Sequence, residues 1–221
     1  LLQEGIERYG FRAHAFCLMD NHIHLALQVG EIPLSRVMQN LSFRYTQWIN
    51  WRTKKKGHLF QGRYKAVLVE ADEYLLQLVA YLHLNPMRAG MKESAVEYRW
   101  SSHRAYMGAE LIPWLSCDTV LSQLSNKIKP ARRLLSDFVL NQKGLGHRKE
   151  FHGAGSKDVR VFGEDNFLNE VLQRAEATPL RRPDLETTLQ LVVGYFHLDF
   201  EELRLPGQNQ DVSRIRAFVA W

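Results

Sequence analysis

Apolar and polar residues change rhythm several times along this chain, and each change marks an element. Leu1 to Tyr9 has the spacing of a helix end, and Gly10 is the residue type that stops one. Phe11 to Met19 and His22 to Val29 read as strands around the turn pair Asp20-Asn21, which predicts a hairpin. In the second strand Ile23, Leu25, Leu27 and Val29 alternate with His22, His24, Ala26 and Gln28. Successive strand side chains point to opposite faces, so the apolar set is expected to face the core. Two imidazoles then project together from the other face. Pro33 suits the first turn of a long helix on which Leu34, Val37, Met38, Leu41, Tyr45 and Trp48 recur. That helix is expected to dissolve around Lys54-Lys55-Lys56-Gly57. A strand pattern returns from Leu59 to Glu70, with Gly62 as a bulge or bend. Asp72 is placed to cap another helix, Glu73 favours its dipole, and Pro86 is expected to end it near Asn85.

Past Tyr106 the pattern changes. Gly108 to Pro113 reads as a linker, and no strand pattern follows it. Helical patterns occupy Asp118 to Leu124, Pro130 to Asn141 and Asp165 to Glu176. Others follow in Asp184 to Phe196, Asp199 to Leu203 and Asp211 to Trp221, and Gly144 to Gly155 interrupts the series. The expectation is a mixed α+β domain over 1–112, a helical linker region over 113–164 and an all-helical region over 165–221.

Composition narrows the classes. With 45% hydrophobic and 24% charged residues the 221-residue chain can bury a core and is not disordered throughout. Cys17 and Cys117 lie far apart with no Cys-x-x-Cys spacing, which fits a reducing, intracellular setting. No apolar run approaches the ~20 residues of a membrane span. The first residue is Leu1 rather than Met, and Trp221 falls inside an apparent helix, so both ends read as cut.

Charge singles out one stretch. The net charge of +5 is a modest lean toward polyanions, and residues 1–112 carry most of it, with fourteen Lys and Arg against ten Asp and Glu. No acid occurs between Glu31 and Glu70. That window holds Arg36, Arg44, Arg52, Lys54, Lys55, Lys56, Arg63 and Lys65, interleaved with Phe43, Tyr45, Trp48, Trp51, Phe60 and Tyr64. Cations for phosphates and aromatic faces for bases make a single-strand nucleic-acid surface. The plainer reading is core aromatics beside a solvated basic face.

Two constellations carry candidate chemistry. His22 and His24 can offer two neutral nitrogen ligands to one metal ion, or can be two exposed strand histidines without a ligand. On the helix after Asp72, Leu75, Leu76, Val79 and Leu82 form a packing stripe, while Tyr74, Gln77, Tyr81 and Asn85 line a second face. Tyr81 and Asn85 are one turn apart. A phenol with its usual pKa of ~10 is a weak nucleophile. A divalent cation on the phosphate it attacks would lower the barrier. Two imidazoles and an amide oxygen would leave positions open for phosphate and water, which suits Mg²⁺ or Mn²⁺. Taken alone, Tyr81 also reads as a half-buried core tyrosine. His83 points elsewhere and reads as a surface or packing histidine.

These pieces resemble the single-tyrosine HUH transposases, in particular the REP-associated tyrosine transposase group, over roughly Phe11 to Gly108. The resemblance is carried by the ordered segments 15–25 (AFCLMDNHIHL), 57–65 (GHLFQGRYK), 81–90 (YLHLNPMRAG) and 100–102 (WSS). It implies a ferredoxin-like α+β sheet, and a metal-dependent endonuclease and strand-transferase acting on hairpin-forming single-stranded DNA. It further implies a homodimer, metal ligands at His22, His24 and Asn85, and a covalent phosphotyrosine at Tyr81. Arg63 and Lys65 match its basic, DNA-facing strand segment, and Arg44, Lys54, Lys55, Lys56 and Arg88 are further candidate DNA contacts. The family's first strand has no counterpart ahead of Leu1, which would leave a sheet edge exposed. Leu189 to Ala220 resembles the C-terminal helix-turn-helix domain of the DnaA replication initiator, which implies duplex contacts from Gln208, Asn209, Ser213, Arg214 and Arg216. No membrane partner is expected, and the implied setting is the bacterial cytoplasm at the nucleoid. The alternatives are a non-catalytic sequence-specific regulator of repeat elements and, further off, a nuclease acting on RNA.

Overall fold

The computed structural model describes residues 1–145, 148–152 and 158–177, with Glu186, Leu189, Gln190, Val193 and Gly194 besides. It combines helices with small sheets and divides into two compact units, residues 1–168 and 169–221. The chain opens with helix α1 (Leu2–Tyr9), closed by Gly10 in the left-handed conformation at φ 66°, as its glycine predicts. Strands β1 (Arg12–Leu18) and β2 (Ile23–Gln28) form the expected antiparallel hairpin, with Cys17 opposite His24 and Ala15 opposite Ala26. The register shifts between Ala13 and Ala15.

The hairpin is buried differently from its sequence pattern. Ala26 is the most buried residue of β2, Leu25 and Leu27 are partly covered, and Ile23 and Val29 are exposed. The apolar set is therefore only partly inner: Leu25 and Leu27 pack against the core cluster, but the residue buried in it is Ala26 of the other face. The reason is the helix that covers the hairpin, α3 (Ala71–Arg88), which packs on both strands. Small side chains at Ala13, Ala15 and Ala26 let its backbone lie close, and all three join its core cluster.

β1 is buried continuously from Ala13 to Cys17. Its edge away from β2 is engaged: the Leu18 N–H donates to the Trp100 carbonyl, Ser102 N–H to Phe16, and Ser116 N–H to Ala13. The open edge expected for a missing strand is thus covered on this side by two later segments. No further strand pairs with β2 among the described residues.

Helix α2 (Leu34–Thr53) follows Pro33 as predicted, yet Val37 is its one buried residue. The strand expected over Leu59 to Glu70 reduces to β3 (Leu68–Val69), and the residues before it are irregular and almost wholly exposed. An extended backbone needs partners for its polar groups. Only the end of this segment finds them, in a parallel pairing with β4 (Val161–Phe162), a strand the pattern after Tyr106 does not predict. Helix α3 begins at Ala71 with Glu70 as its N-cap and no side-chain cap bond, so Asp72 sits in the first turn rather than capping it. The helix also runs through Pro86 to Arg88. A proline in the last turn removes one donor, and burial of the whole run from Val79 to Pro86 holds the turn in place.

After a short helix α4 (His103–Tyr106) come α5 (Asp118–Leu124), where the sequence places it, and α6 (Ile128–Asn141). The core does not stop at residue 112, because Val120, Leu121, Ala131, Leu135 and Val139 share one cluster with α3. Helix α7 (Asp165–Ala177) is the last described element and matches its predicted span to a residue.

Candidate active site

β2 presents its histidines as an open pair. His22 is exposed and His24 half-buried, and their rings meet edge to face with centroids 4.8 Å apart. His22 Nδ1 lies 2.6 Å from the Asn21 side-chain oxygen. The amide oxygen accepts, so Nδ1 is the donor in this contact and Nε2 is the ring nitrogen a metal would take.

Tyr81 and Asn85 sit in the opposite kind of place. The far end of the second face is closed, with Tyr81 4% exposed and Asn85 7%, while Tyr74 and Gln77 are half-buried. The Arg88 guanidinium lies over the Tyr81 ring at 4.4 Å from its centroid and also donates to the Tyr81 carbonyl at 2.9 Å. Phe151 packs on the same ring at 5.1 Å and in turn meets Phe162. Arg148 pairs with Glu150 and reaches Gln77 of α3. Burial raises the phenol's pKa, the Arg88 charge opposes that rise, and Glu150 adds to it. The Asn85 side-chain nitrogen is buried without a hydrogen-bond partner. A buried unpaired amide is the kind of exception that function often explains.

Between Tyr81 and Asn85, α3 holds a polar network the sequence pattern missed. His83 is fully buried, so the packing half of its expected reading holds. Its Nε2 lies 2.9 Å from Ser102 Oγ and its Nδ1 3.2 Å from Nδ1 of the buried His103. Ser102 Oγ also accepts the Phe16 N–H and donates to the Phe16 carbonyl. The network closes with His83 protonated on Nε2 and His103 on Nδ1, both rings neutral. Burial depresses both imidazoles, His103 to about 4. The segment Trp100-Ser101-Ser102 is the only trace of this hub in the sequence.

The acid-free window forms an exposed surface. Phe43, Tyr45, Trp48, Trp51, Phe60 and Tyr64 are all exposed, Trp51 by 81%. Tyr45 stacks on Trp48 and meets Phe60, and Arg52 lies over the Trp48 ring. Lys54, Lys55, Lys56, Arg63 and Lys65 are exposed. Two other candidate DNA contacts are engaged elsewhere, Arg44 with Glu4 of α1 and Arg88 with Tyr81. Arg63 and Lys65 stand on irregular backbone rather than a strand.

His22 and His24 are thus brought together on β2, and Tyr81 and Asn85 are buried one turn apart on α3. Gln208, Asn209, Ser213, Arg214 and Arg216, with the helix-turn-helix they belong to, lie outside the described residues. Among the described residues no three His, Cys, Asp or Glu side chains gather as a metal centre. No helix among the described residues is long and apolar enough to cross a membrane.

Comparison with known proteins places a likeness on this region. Residues 1–85, which contain both histidines, Tyr81 and Asn85, match the family described as Transposase IS200 like. The chain is also 25% identical over 122 residues to a Haemophilus influenzae protein named as a REP-associated tyrosine transposase, an alignment that covers 50% of this chain and 69% of that protein. No solved structure matches the chain. Both likenesses are to proteins described as transposases.

Proposed function

We propose that the chain cuts and rejoins single-stranded, hairpin-forming DNA through a covalent phosphotyrosine at Tyr81. The observation that carries this reading is the pairing of two constellations on one hairpin-and-helix unit. An open imidazole pair lies on β2, and Tyr81 and Asn85 lie one turn apart on the helix packed against it. The phenolic oxygen attacks phosphorus, and the bond from phosphorus to the leaving sugar oxygen breaks. The phenol proton passes to solvent and the leaving oxygen takes one up. One phosphoester replaces another, so the strand can be rejoined without an external energy source.

His22, His24 and the Asn85 amide are the residues that would hold Mg²⁺ or Mn²⁺. When bound, such an ion would draw charge from the phosphate oxygens. Two nitrogen donors and an amide suit an ion that must keep labile positions. The exposed aromatic and cationic surface of α2 and the loop after it is suited to single-strand bases and phosphates. The helix-turn-helix resemblance extends the proposal to duplex contact, and the family resemblance to a homodimer.

The test is a denaturing-gel assay of the chain with labelled hairpin DNA and Mn²⁺. A covalent band that disappears in Tyr81→Phe while DNA binding survives is the expected result. Cleavage undiminished in that variant would sink the assignment. Salt-sensitive binding with no adduct would instead make the protein a non-catalytic regulator of repeat elements.

A further inference from the structure

We propose that Arg88 is a positioning residue for Tyr81, holding the phenol ring in place and supplying the positive charge against which its oxygen turns anionic as it attacks phosphorus. This rests on the reading of Tyr81 as the nucleophile. Arg88 lies two helical turns beyond Tyr81 on the same face, and long side chains on a helix lean back toward its N-terminus. The guanidinium therefore folds back over the ring, 4.4 Å from its centroid. One of its nitrogens is anchored on the Tyr81 carbonyl at 2.9 Å. The Arg88 Nε is buried without a partner, so the group accepts an unsatisfied donor to keep this pose.

The contact is made to one residue twice, through ring and backbone, which is how a side chain is fixed rather than merely covered. Phe151 packs on the Tyr81 ring as well, so the ring is held between a cation and an aromatic neighbour. A half-buried cation beside a phenol gains attraction as negative charge grows on the oxygen. That gain exists mainly in the transition state, so it belongs in the rate and not in DNA affinity. Arg88 was also a candidate phosphate contact, and that role makes the opposite forecast.

The experiment measures adduct formation on hairpin DNA with Mn²⁺ over a range of DNA concentrations, for the unaltered chain, Arg88→Met, Arg88→Lys and Tyr81→Phe. Arg88→Met, which keeps the length and loses the charge, is expected to slow the saturating rate roughly ten- to thirty-fold. The half-saturating DNA concentration is expected to stay within about twofold. Arg88→Lys, with charge but no planar fork, should recover part of the rate. An unchanged saturating rate with weaker DNA affinity would make Arg88 a phosphate contact and overturn the proposal. So would a lysine variant no faster than the methionine one. If Arg88→Met does not fold by its thermal transition, Arg88→Gln takes its place with the same expectation. An adduct that survives in Tyr81→Phe, or none in the unaltered chain, overturns the nucleophile itself. Loss in Tyr81→Phe with full rate in Arg88→Met overturns only the role of Arg88.

Discussion

Helices α2 and α3 are nearly equal in length, 20 and 18 residues, and opposite in burial. α2 buries Val37 alone and shows solvent a row of aromatics that includes Trp48 and Trp51. α3 buries nine residues, among them His83 and Asn85. Large apolar side chains are ordinarily the ones hidden and polar ones the ones shown. α2 inverts that rule, and α3 follows it except at His83 and Asn85. α2 spends hydrophobic area on a surface, which for a basic, acid-free stretch fits contact with bases. α3 spends part of its burial on two polar side chains, His83 and Asn85.

The sharpest way to break this contrast is truncation in the buried helix. Leu84 is 1% exposed, so Leu84→Ala should cost about 2–5 kcal/mol in urea unfolding. A loss below ~1 kcal/mol would mean α3 is not the centre of the core.

Acidification comes next. Free histidine titrates near 6.5, and burial holds His103 down to about 4 in the folded chain. The unfolded chain therefore takes up this proton first. The contribution is complete above pH 6.5 and is lost progressively as pH falls to about 4, by about 3 kcal/mol at most. His83, depressed in the same direction by burial and by its neighbour, adds to the loss. Unfolding midpoints measured from pH 7 to 4 should fall, and His103→Gln should flatten that fall. A parallel decline in both proteins would show that other groups set the acid response.

The smallest stability effect and a clear binding effect are expected together on α2. Trp51→Ala should leave unfolding within about 0.5 kcal/mol of the unaltered chain, because the ring is 81% exposed. Single-strand DNA affinity should fall by roughly 1–3 kcal/mol, the range for one stacked base. An unchanged affinity in fluorescence titration would make the aromatic row an ordinary exposed face.

Much of the architecture was legible from local pattern. Gly10 ends α1, Asp20-Asn21 turns the hairpin, and Pro33 starts α2, because each depends on backbone preferences carried by the residue itself. The adjacency of His22 and His24 was legible for the same reason, since strand alternation is local. Where several local rules competed, the reading failed. Pro86 is a helix breaker by rule, yet α3 continues through it because the run from Val79 to Pro86 is buried. The strand pattern over residues 59–70 had no partner along most of its length, and an unpaired strand does not form.

The sequence by itself determined the helix and hairpin starts, the paired imidazoles, the Tyr81–Asn85 spacing and the acid-free aromatic window, all properties of neighbouring residues. Only the tertiary structure decided which faces became interior. It put Ala26 inside rather than Ile23 and Val29, and closed Tyr81 beneath Phe151 from a segment seventy residues on. It also folded Arg88 onto the ring and joined His83 to Ser102 and His103. Burial is a property of what arrives from elsewhere in the chain, and no local period encodes it.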